Sequence, residues 1–248
     1  MNAIYILWLR QLIRYFRSKS RIIGSLAQPL LFLLALGFGF GPIYAKAGGG
    51  NYIQFLVPGI VGMSIMFTAV FMGIEMIWDR KFGFLKETMV APVSRFSIML
   101  GRILGGATVA TLQGVLVMFI SIFIGFRLSN WFLVIPAILI MFLIALIFTT
   151  LGTAIASIME DMQGFQLIIN FLVMPMFFLS GALFPLTGLP PAVTAISLID
   201  PLSYGVDALR GVLLGVSHIN MSLNIVVTIG VWAILLGVGS FLFSKMEA

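Results

Sequence analysis

Residues 78–95 read Trp-Asp-Arg-Lys-Phe-Gly-Phe-Leu-Lys-Glu-Thr-Met-Val-Ala-Pro-Val-Ser-Arg, the one long hydrophilic stretch in the interior of an apolar chain. Its six charged residues are Asp79, Arg80, Lys81, Lys86, Glu87 and Arg95. Apolar runs of membrane-spanning length lie on both sides of it. We therefore expect residues 78–95 to form a loop outside the bilayer, around which the rest of the chain is arranged.

This loop has the pattern of a short amphipathic helix. Three apolar residues recur at helical spacing and three charged residues fall on other faces: Phe82, Leu85 and Met89, and Lys81, Lys86 and Glu87. Pro92 should end the helix, because proline lacks the backbone N–H that a helix requires. Such a helix either lies in the lipid headgroup layer or couples the protein to a cytosolic partner. In the second interpretation the apolar side chains dock in a groove of the partner, Arg80, Lys86 and Glu87 fix the register, and Gly83 permits a bend.

The composition indicates an integral membrane protein. Hydrophobic residues make up 61% of the chain and charged residues 9%, whereas soluble domains carry about 25% charged residues. With no cysteine and a lone histidine, the chain has neither a disulfide framework nor a thiol nucleophile, and we expect no metal centre. The formal charge is +6, but the basic residues cluster beside the apolar runs. That position favours anionic lipid over nucleic acid as their partner.

The N-terminal segment, residues 1–21, predicts a basic amphipathic helix at the membrane surface. Its arginines follow one helical stripe and its apolar residues the opposite side: Arg10, Arg14, Arg17 and Arg21, and Ile4, Trp8, Leu12 and Tyr15. A signal peptide is the alternative. It fits less well, because the basic region is too long and no convincing small-residue cleavage site follows.

Six apolar runs predict six transmembrane helices in a single permease-like domain, residues 1–248. They lie at about Ile22–Gly41, Phe55–Ile77, Ile98–Ile124, Phe132–Ile158, Phe165–Phe184 and Leu223–Phe243. Residues 42–51 should form a flexible loop. Lysine and arginine collect beside both termini and in residues 78–95, so the positive-inside rule predicts that these segments are cytosolic. The expected fold is therefore all-α and polytopic.

Polar side chains inside two of the spans are candidates for a substrate pathway. Ser64, Thr68 and Glu75 fall near one stripe of the second span together with Phe71, while Gln166 and Asn170 share a face of the fifth. These residues either form hydrogen bonds between helices or line the pathway. For Glu75 we expect a pair with a nearby arginine rather than a proton relay. Many methionines and phenylalanines in the spans would accept varied apolar ligands, although core packing explains them equally well.

A proline-rich interval near the C-terminus predicts a re-entrant outer segment over residues 185–211. Its four prolines rule out one continuous helix, yet it is too apolar for an ordinary loop: Pro185, Pro190, Pro191 and Pro201. Asp200 is suited to cap a helix that has Pro201 at its first position. Asp207 and Arg210 are spaced to form an ion pair on that helix.

Several motifs in a fixed order carry a family resemblance. They are Phe55-Leu-Val-Pro-Gly59, Trp78-Asp-Arg-Lys-Phe-Gly83, Ala91-Pro92, Gly101-Arg102, Leu179-Ser180-Gly181-Ala-Leu-Phe-Pro185, Asp200-Pro-Leu-Ser-Tyr204 and Asp207-Ala-Leu-Arg210. The chain resembles the permease subunits of ABC type 2 exporters, particularly the drug-resistance branch. One departure is Asp200, where the family would have asparagine before the proline; either residue can cap a helix.

The resemblance implies a homodimer in the cell membrane with a path between the subunits. It also implies a separate ATP-hydrolysing subunit, which would hold the ATP and Mg²⁺. No Gly-Lys pair occurs, so the chain lacks a phosphate-binding Walker A motif of its own, and we expect neither a cofactor nor an enzymatic activity on it. Residues 78–95 would be the coupling segment and residues 1–21 the connecting helix beside it.

The substrate and two unrelated functions stay open. Hydrophobic or amphipathic compounds such as drugs or lipids are the first expectation, and polysaccharides or lipo-oligosaccharides, exported by similar permeases, are the second. A passive channel would have no use for a docking helix. An intramembrane serine protease built on Ser180 and His218 fits poorly, because Phe178 stands where a Gly-x-Ser-Gly motif needs glycine.

Overall fold

The computed structural model describes residues 3–128, 130–186 and 190–246, and within these ranges the fold is entirely helical. The helices are α1 Ala3–Arg17, α2 Lys19–Lys46, α3 Tyr52–Lys81, α4 Phe84–Val90, α5 Arg95–Ile124, α6 Val134–Ile158, α7 Met162–Leu179, α8 Pro191–Ile199, α9 Pro201–Leu214 and α10 Met221–Ser244. A 3-10 turn, Trp131–Leu133, precedes α6. The all-α prediction is confirmed.

Six of the described helices are long and apolar enough to cross a membrane, as predicted: α2, α3, α5, α6 with its 3-10 turn, α7 and α10. The fifth span is shorter than expected. We predicted that it would reach Phe184, but α7 ends at Leu179. The chain turns there because Gly181 adopts a left-handed conformation with φ of 72°, which an L side chain rarely tolerates.

The boundary between the first two helices also differs from the prediction. The amphipathic helix expected over residues 1–21 ends at Arg17, and Ser18 separates it from α2. Arg21 therefore belongs to the first turns of the first span rather than to the surface helix. At its other end α2 continues through Pro42 to Lys46, which shortens the loop expected at residues 42–51. A proline costs one backbone hydrogen bond, and membrane helices tolerate this loss.

Helix α3 is the centre of the bundle. It is 30 residues long, so it extends about 45 Å, and most of its side chains are buried between α2, α5, α6, α7 and α9. It approaches α6 at Gly73 and Gly152, where each glycine leaves no room for a Cβ beside the other helix. Close contact between backbones replaces the hydrophobic driving force that is missing inside a membrane.

The segment before α10 forms two helices rather than one span. Helices α8 and α9 meet at Asp200 with a bend of 87°. Asp200 caps α9 by accepting a hydrogen bond from the Leu202 N–H at 2.9 Å, and Pro201 occupies the first turn, as predicted. The predicted re-entrant segment is thus a bent helix pair over 191–214; residues 187–189 lie outside the described part of the chain.

Candidate functional site

The bundle has two ends that differ in chemistry. The first, which we call the α4 end, contains α1, α4, the last turns of α3 and the first turns of α5. The second, which we call the α9 end, contains α8, α9 and the first turns of α3. Sequence-predicted coupling residues lie at the α4 end, and predicted cap residues lie at the α9 end.

Helix α4 is the short amphipathic helix that residues 78–95 predict, and it ends before Pro92 as expected. Its start is a correction. Phe82 is the C-cap residue of α3, and Gly83 is the N-cap residue of α4, with a left-handed φ of 79°. Neither residue lies within α4 itself. The bend attributed to Gly83 is therefore a real turn between α3 and α4, at a φ that favours glycine.

The predicted coupling residues divide into inward and outward groups. Leu85 is fully buried in the chain's own core, so it anchors α4 to the bundle and is closed to a partner, contrary to the predicted docking role. Phe82 has 73% of its surface exposed and stacks on Trp78, with ring centroids 5.3 Å apart. Lys86 and Glu87 are exposed, and Met89 is half-buried.

Arg80 points away from this exposed surface. Its guanidinium group donates to the carbonyl oxygen of Met159 at 3.3 Å, which ties α3 to the end of α6. Asp161, two residues after Met159, caps α7 by accepting a hydrogen bond from the Gly164 N–H at 2.7 Å. This backbone hydrogen bond, together with others from the same turn, holds the pKa of Asp161 below its usual range.

A cluster of charged side chains, which we call the ion cluster, joins three helices to the end of α3. Asp79 accepts two hydrogen bonds from Arg10 of α1, at 3.0 Å and 2.9 Å, and one from Arg102 of α5 at 2.6 Å. Arg102 and Asp79 are both buried. Buried charges are stable only when they are paired in this way, so Asp79 fixes the position of both helices.

Glu75 extends the ion cluster one helical turn into the bundle. It pairs with Arg21 of α2, and Arg14 of α1 lies 3.6 Å from the carboxylates of both Glu75 and Asp79. The expected arginine partner of Glu75 is therefore present. Sequence reasoning missed Asp79, Arg10 and Arg102 as site residues. Two acids four residues apart at the end of a span, opposite a stripe of arginines, are the signal that could have found them.

Arg10 also connects the ion cluster to α4. Its guanidinium carbon lies 3.7 Å from the ring centroid of Phe84, the first residue of α4. This cation–π contact and the Asp79 pair place one side chain between α1, α3 and α4. Movement of α4 relative to the bundle would have to displace Arg10.

A cavity of about 550 Å³, which we call the Ser64 cavity, lies between α1, α2 and α3. It brings together three predicted pathway residues, Ser64, Thr68 and Phe71, and Glu75 at its charged end. Gln166 and Asn170 are not among its lining residues. They lie on α7 with a hydrogen bond of 3.1 Å between their side chains.

Tyr15 lines the Ser64 cavity, and a hydrogen bond holds its side chain in place. Its hydroxyl donates to Gln113 Oε1 of α5 at 2.7 Å. A tyrosine phenol is protonated at neutral pH, and burial raises the pKa of Tyr15 further, which is consistent with its role as a donor.

At the α9 end, Asp207 and Arg210 have separate partners. Asp207 accepts hydrogen bonds from the backbone N–H groups of His218 and Ile219 at 2.9 Å and 3.0 Å, and from the side chain of Asn224 at 2.9 Å. Arg210 donates to the carbonyl oxygen of Gly181 at 3.0 Å and stacks on Phe55. The predicted Asp207–Arg210 ion pair is thus wrong. Each side chain instead fastens a different loop to α9.

The remaining predicted cap residues join α7 to the start of α3. The Ser180 hydroxyl donates to the Phe177 carbonyl at 2.8 Å, a capping role that leaves it poorly placed to be a nucleophile. Beyond the left-handed Gly181, the backbone of Ala182 packs directly on Gly59 of α3. Two tyrosines and a proline complete this end: Tyr52 donates to the Leu183 carbonyl, Tyr204 donates to the Leu198 carbonyl, and Pro185 is half-buried.

Residues 2–214 match the ABC-2 type transporter family, a region that contains the α4 end, the Ser64 cavity and the whole of α9. The chain belongs to this family. The family resemblance drawn from the ordered motifs is therefore confirmed, and the protein is a membrane permease of the ABC-2 type.

Named relatives cover most of this permease. Nodulation protein J of Rhizobium meliloti (strain 1021) is 30% identical over 212 residues, or 84% of this chain and 79% of that protein. The putative transport permease ycf38 of Cyanophora paradoxa is 29% identical over 213 residues, or 85% and 73%. The inner membrane transport permease YadH of Escherichia coli (strain K12) is 26% identical over 220 residues, or 88% and 85%.

Proposed function

We propose that this permease is the membrane subunit of an ATP-driven exporter, in which two copies enclose the pathway and a separate ATPase subunit docks on α4. The observation that carries the proposal is the two-sided character of the α4 region. Leu85 holds the helix on the bundle, while Phe82, Lys86 and Glu87 face outward. An exposed aromatic ring rimmed by charges has the composition of a binding hot spot. ATP and Mg²⁺ would bind to the partner.

The ion cluster would transmit movement of α4 to the spans. Arg10 contacts Phe84 of α4 and Asp79 of α3, and Asp79 also holds Arg102 of α5. Breaking a buried pair of this kind costs about 3–5 kcal/mol, so the helices it joins should move as a unit. A push on α4 by the ATPase would therefore tilt α1, α3 and α5 together.

We propose that the α4 end faces the cytosol, so that both termini are cytosolic. The basic residues of α1, of the α3–α4 turn and of the start of α5 lie at this end, which is the distribution that the positive-inside rule requires. Because the chain has no cysteine, an Ala47→Cys variant reports the position of the α2–α3 loop. Membrane-impermeant maleimide should label it from outside the cell; labelling only from the cytosolic side would reverse the proposed orientation.

The walls of the Ser64 cavity favour hydrophobic or amphipathic cargo such as drugs or lipids. Met63, Phe67 and Phe71 supply soft apolar surface, and Ser64 and Thr68 supply hydroxyl groups. Pockets of this size that combine apolar walls with a few polar groups are typical of small-molecule sites.

Co-purification tests the proposal. Tagged permease is extracted from membranes that contain each candidate ATPase, and the pair is reconstituted into liposomes with a fluorescent amphiphile. We expect one ATPase to co-purify and to drive ATP-dependent movement of the amphiphile. A permease that binds none of the organism's ABC ATPases would contradict the proposal.

Export of a polysaccharide or lipo-oligosaccharide is the second candidate, and aromatic rings at the α9 end favour it. Tyr44 lies 5.0 Å from Tyr52 and 5.7 Å from Phe55, ring centroid to ring centroid, beside an apolar cavity of about 320 Å³. Aromatic faces can pack against the C–H faces of sugar rings. Transport of a glycan-bearing amphiphile but not of its lipid alone would select this candidate.

A further inference from the structure

We propose that the Ser64 cavity takes an amphiphile with an anionic, phosphate-type headgroup, held by Arg14 and Arg21, with its apolar tail against Phe67 and Phe71. This inference rests on the proposed function, because it names the chemical class of molecule that would enter the pathway. It is carried by three independent observations: the charge balance of the ion cluster, the exposure of two of its arginines, and a buried hydroxyl group in the cavity wall.

The ion cluster has more positive than negative charge. In the described part of the chain it contains four guanidinium groups and two carboxylates: Arg10, Arg14, Arg21 and Arg102, and Glu75 and Asp79. The excess is two positive charges, at the border of a region that is otherwise apolar. An anion bound here would balance this excess through charge-assisted hydrogen bonds to the guanidinium groups.

The arginines that line the cavity are more exposed and share a single carboxylate, Glu75, which pairs closely with Arg21. Arg10 and Arg102 are committed to Asp79 by hydrogen bonds of 3.0 Å or less. Arg14 has only the longer 3.6 Å approaches to the two carboxylates, and its side chain is 35% exposed. The side chain of Arg21 is 40% exposed. Both arginines line the Ser64 cavity, while Arg10 and Arg102 do not.

A ligand anion would compete with Glu75 for Arg14 and Arg21, or would bind to both arginines beside it. Its Oε1 atom pairs with Arg21, but its buried Oε2 atom accepts no hydrogen bond in the described part of the chain. Arg14 and Arg21 approach Glu75 from different helices, so their guanidinium groups converge on one position. A phosphate oxygen suits such a pair of forked donors better than a neutral headgroup does.

The cavity continues from this cationic end into an apolar channel along α3. Phe67 and Phe71 line it, and Ser64 lies 11 residues before Glu75, or about 16 Å along the helix. The Ser64 side chain is buried, and its hydroxyl has no hydrogen-bond partner among the described residues. A charged group at one end, an apolar wall and an unsatisfied hydroxyl about 16 Å further in match an amphiphile with an anionic headgroup and a long apolar tail that carries a polar group well away from the headgroup.

Cysteine protection tests the inference without any ATPase. A Thr68→Cys variant places a single thiol in the cavity wall of a chain that has no other cysteine. The permease is placed in nanodiscs of phosphatidylcholine, with or without phosphatidate of the same chains, and the rate of alkylation by a neutral maleimide is measured. Phosphatidate should slow alkylation by about tenfold, the factor that one charge-assisted hydrogen bond supplies. An Ala91→Cys variant, at the exposed α4 end, controls for surface effects and should react equally in both nanodiscs.

Two double variants, each made in the Thr68→Cys background, locate the headgroup. Arg14→Gln with Arg21→Gln should abolish the protection of the introduced thiol, and Arg14→Lys with Arg21→Lys should keep part of it. As a control, Arg17→Gln with Lys19→Gln removes the same charge from the same end, outside the Ser64 cavity, and should keep all of it. Equal protection by both lipids, or protection that survives the glutamine pair, would overturn the inference. If the glutamine pair does not fold, the comparison of the two lipids on the Thr68→Cys variant still decides.

A final experiment distinguishes a transported cargo from a lipid that stays bound to the permease. When the ATPase and ATP are added to proteoliposomes, a cargo amphiphile should cross to the other leaflet and the introduced thiol should regain its reactivity. A resident lipid should stay bound and protect that thiol throughout. Because binding is measured first and by itself, failure of the proposed ATP-driven export leaves the headgroup site standing, and loss of the headgroup site leaves export standing.

Discussion

The guanidinium group of Arg10 forms a two-pronged ion pair with the carboxylate of Asp79, with N···O distances of 3.0 Å and 2.9 Å across 69 residues of sequence. Parallel hydrogen bonds of this kind fix orientation as well as distance. The same guanidinium group packs on Phe84. A surface helix, a central span and the α4 helix are therefore joined through one side chain.

Asp79→Asn should destabilise the permease, because it leaves the buried Arg102 without its counterion. The expected loss is about 3–5 kcal/mol, the cost of uncovering a buried charge. Thermal unfolding in detergent, followed as the fraction that stays monodisperse, measures it. Glu87→Gln changes an exposed acid on α4 and is the control, with an expected effect within about 0.5 kcal/mol. Equal stability of the two variants would mean that the ion cluster is solvated.

Phe82→Ala and Leu85→Ala should separate partner binding from folding. Phe82 is exposed, so its loss should weaken ATPase binding by about 2 kcal/mol, or roughly 30-fold, with stability unchanged. Leu85 is fully buried, so its loss should cost about 2–5 kcal/mol of stability. Affinity for the purified ATPase and thermal unfolding are measured on both variants. Reversed effects would show that α4 docks through its other face.

Asp207→Ala should loosen the α9 end at the loop before α10, while Arg210 keeps its direct contacts with Gly181 and Phe55. It removes the acceptor for two backbone N–H groups and the Asn224 amide, which should cost about 1–3 kcal/mol for each donor left buried and unpaired. Asp207→Asn keeps one acceptor oxygen and should lose less. Hydrogen exchange of the backbone amides at His218 and Ile219 reports the change directly. Protected amides in the alanine variant would contradict this role.

A Thr68→Cys variant should also report the proposed homodimer. If two copies enclose a slit along the stripe that carries Ser64, Thr68 and Phe71, bifunctional maleimides of increasing length should join the introduced thiols across the subunits. Asn170→Cys tests the α7 side of the same slit, since Gln166 and Asn170 lie apart from the Ser64 cavity within one chain. Cross-linking that occurs only from cysteines on α10 would place the slit elsewhere.

The sequence by itself determined the properties that depend on neighbouring residues. The length and apolarity of a run decide whether it can cross a bilayer, so all six spans could be recognised. The cap at Asp200 and the end of α4 before Pro92 also follow from local chemistry, because caps and prolines act within one helical turn. The left-handed turn at Gly83 and the bend between α8 and α9 also follow from local chemistry, because glycine and proline act on the backbone around them.

Only the tertiary structure decided which partner each charged or apolar side chain has. Helical spacing identifies an apolar face on α4 but not what covers that face. The sequence therefore predicted that Leu85 contacts a partner, whereas Leu85 packs in the chain's own core. The spacing of Asp207 and Arg210 predicted an ion pair between them. In the structure, both side chains instead form hydrogen bonds with backbone groups that are distant in sequence. The Arg10–Asp79 pair spans 69 residues and exists because helix packing brings α1 beside the end of α3. Coulombic attraction acts through space, and its partners are set by packing rather than by order along the chain.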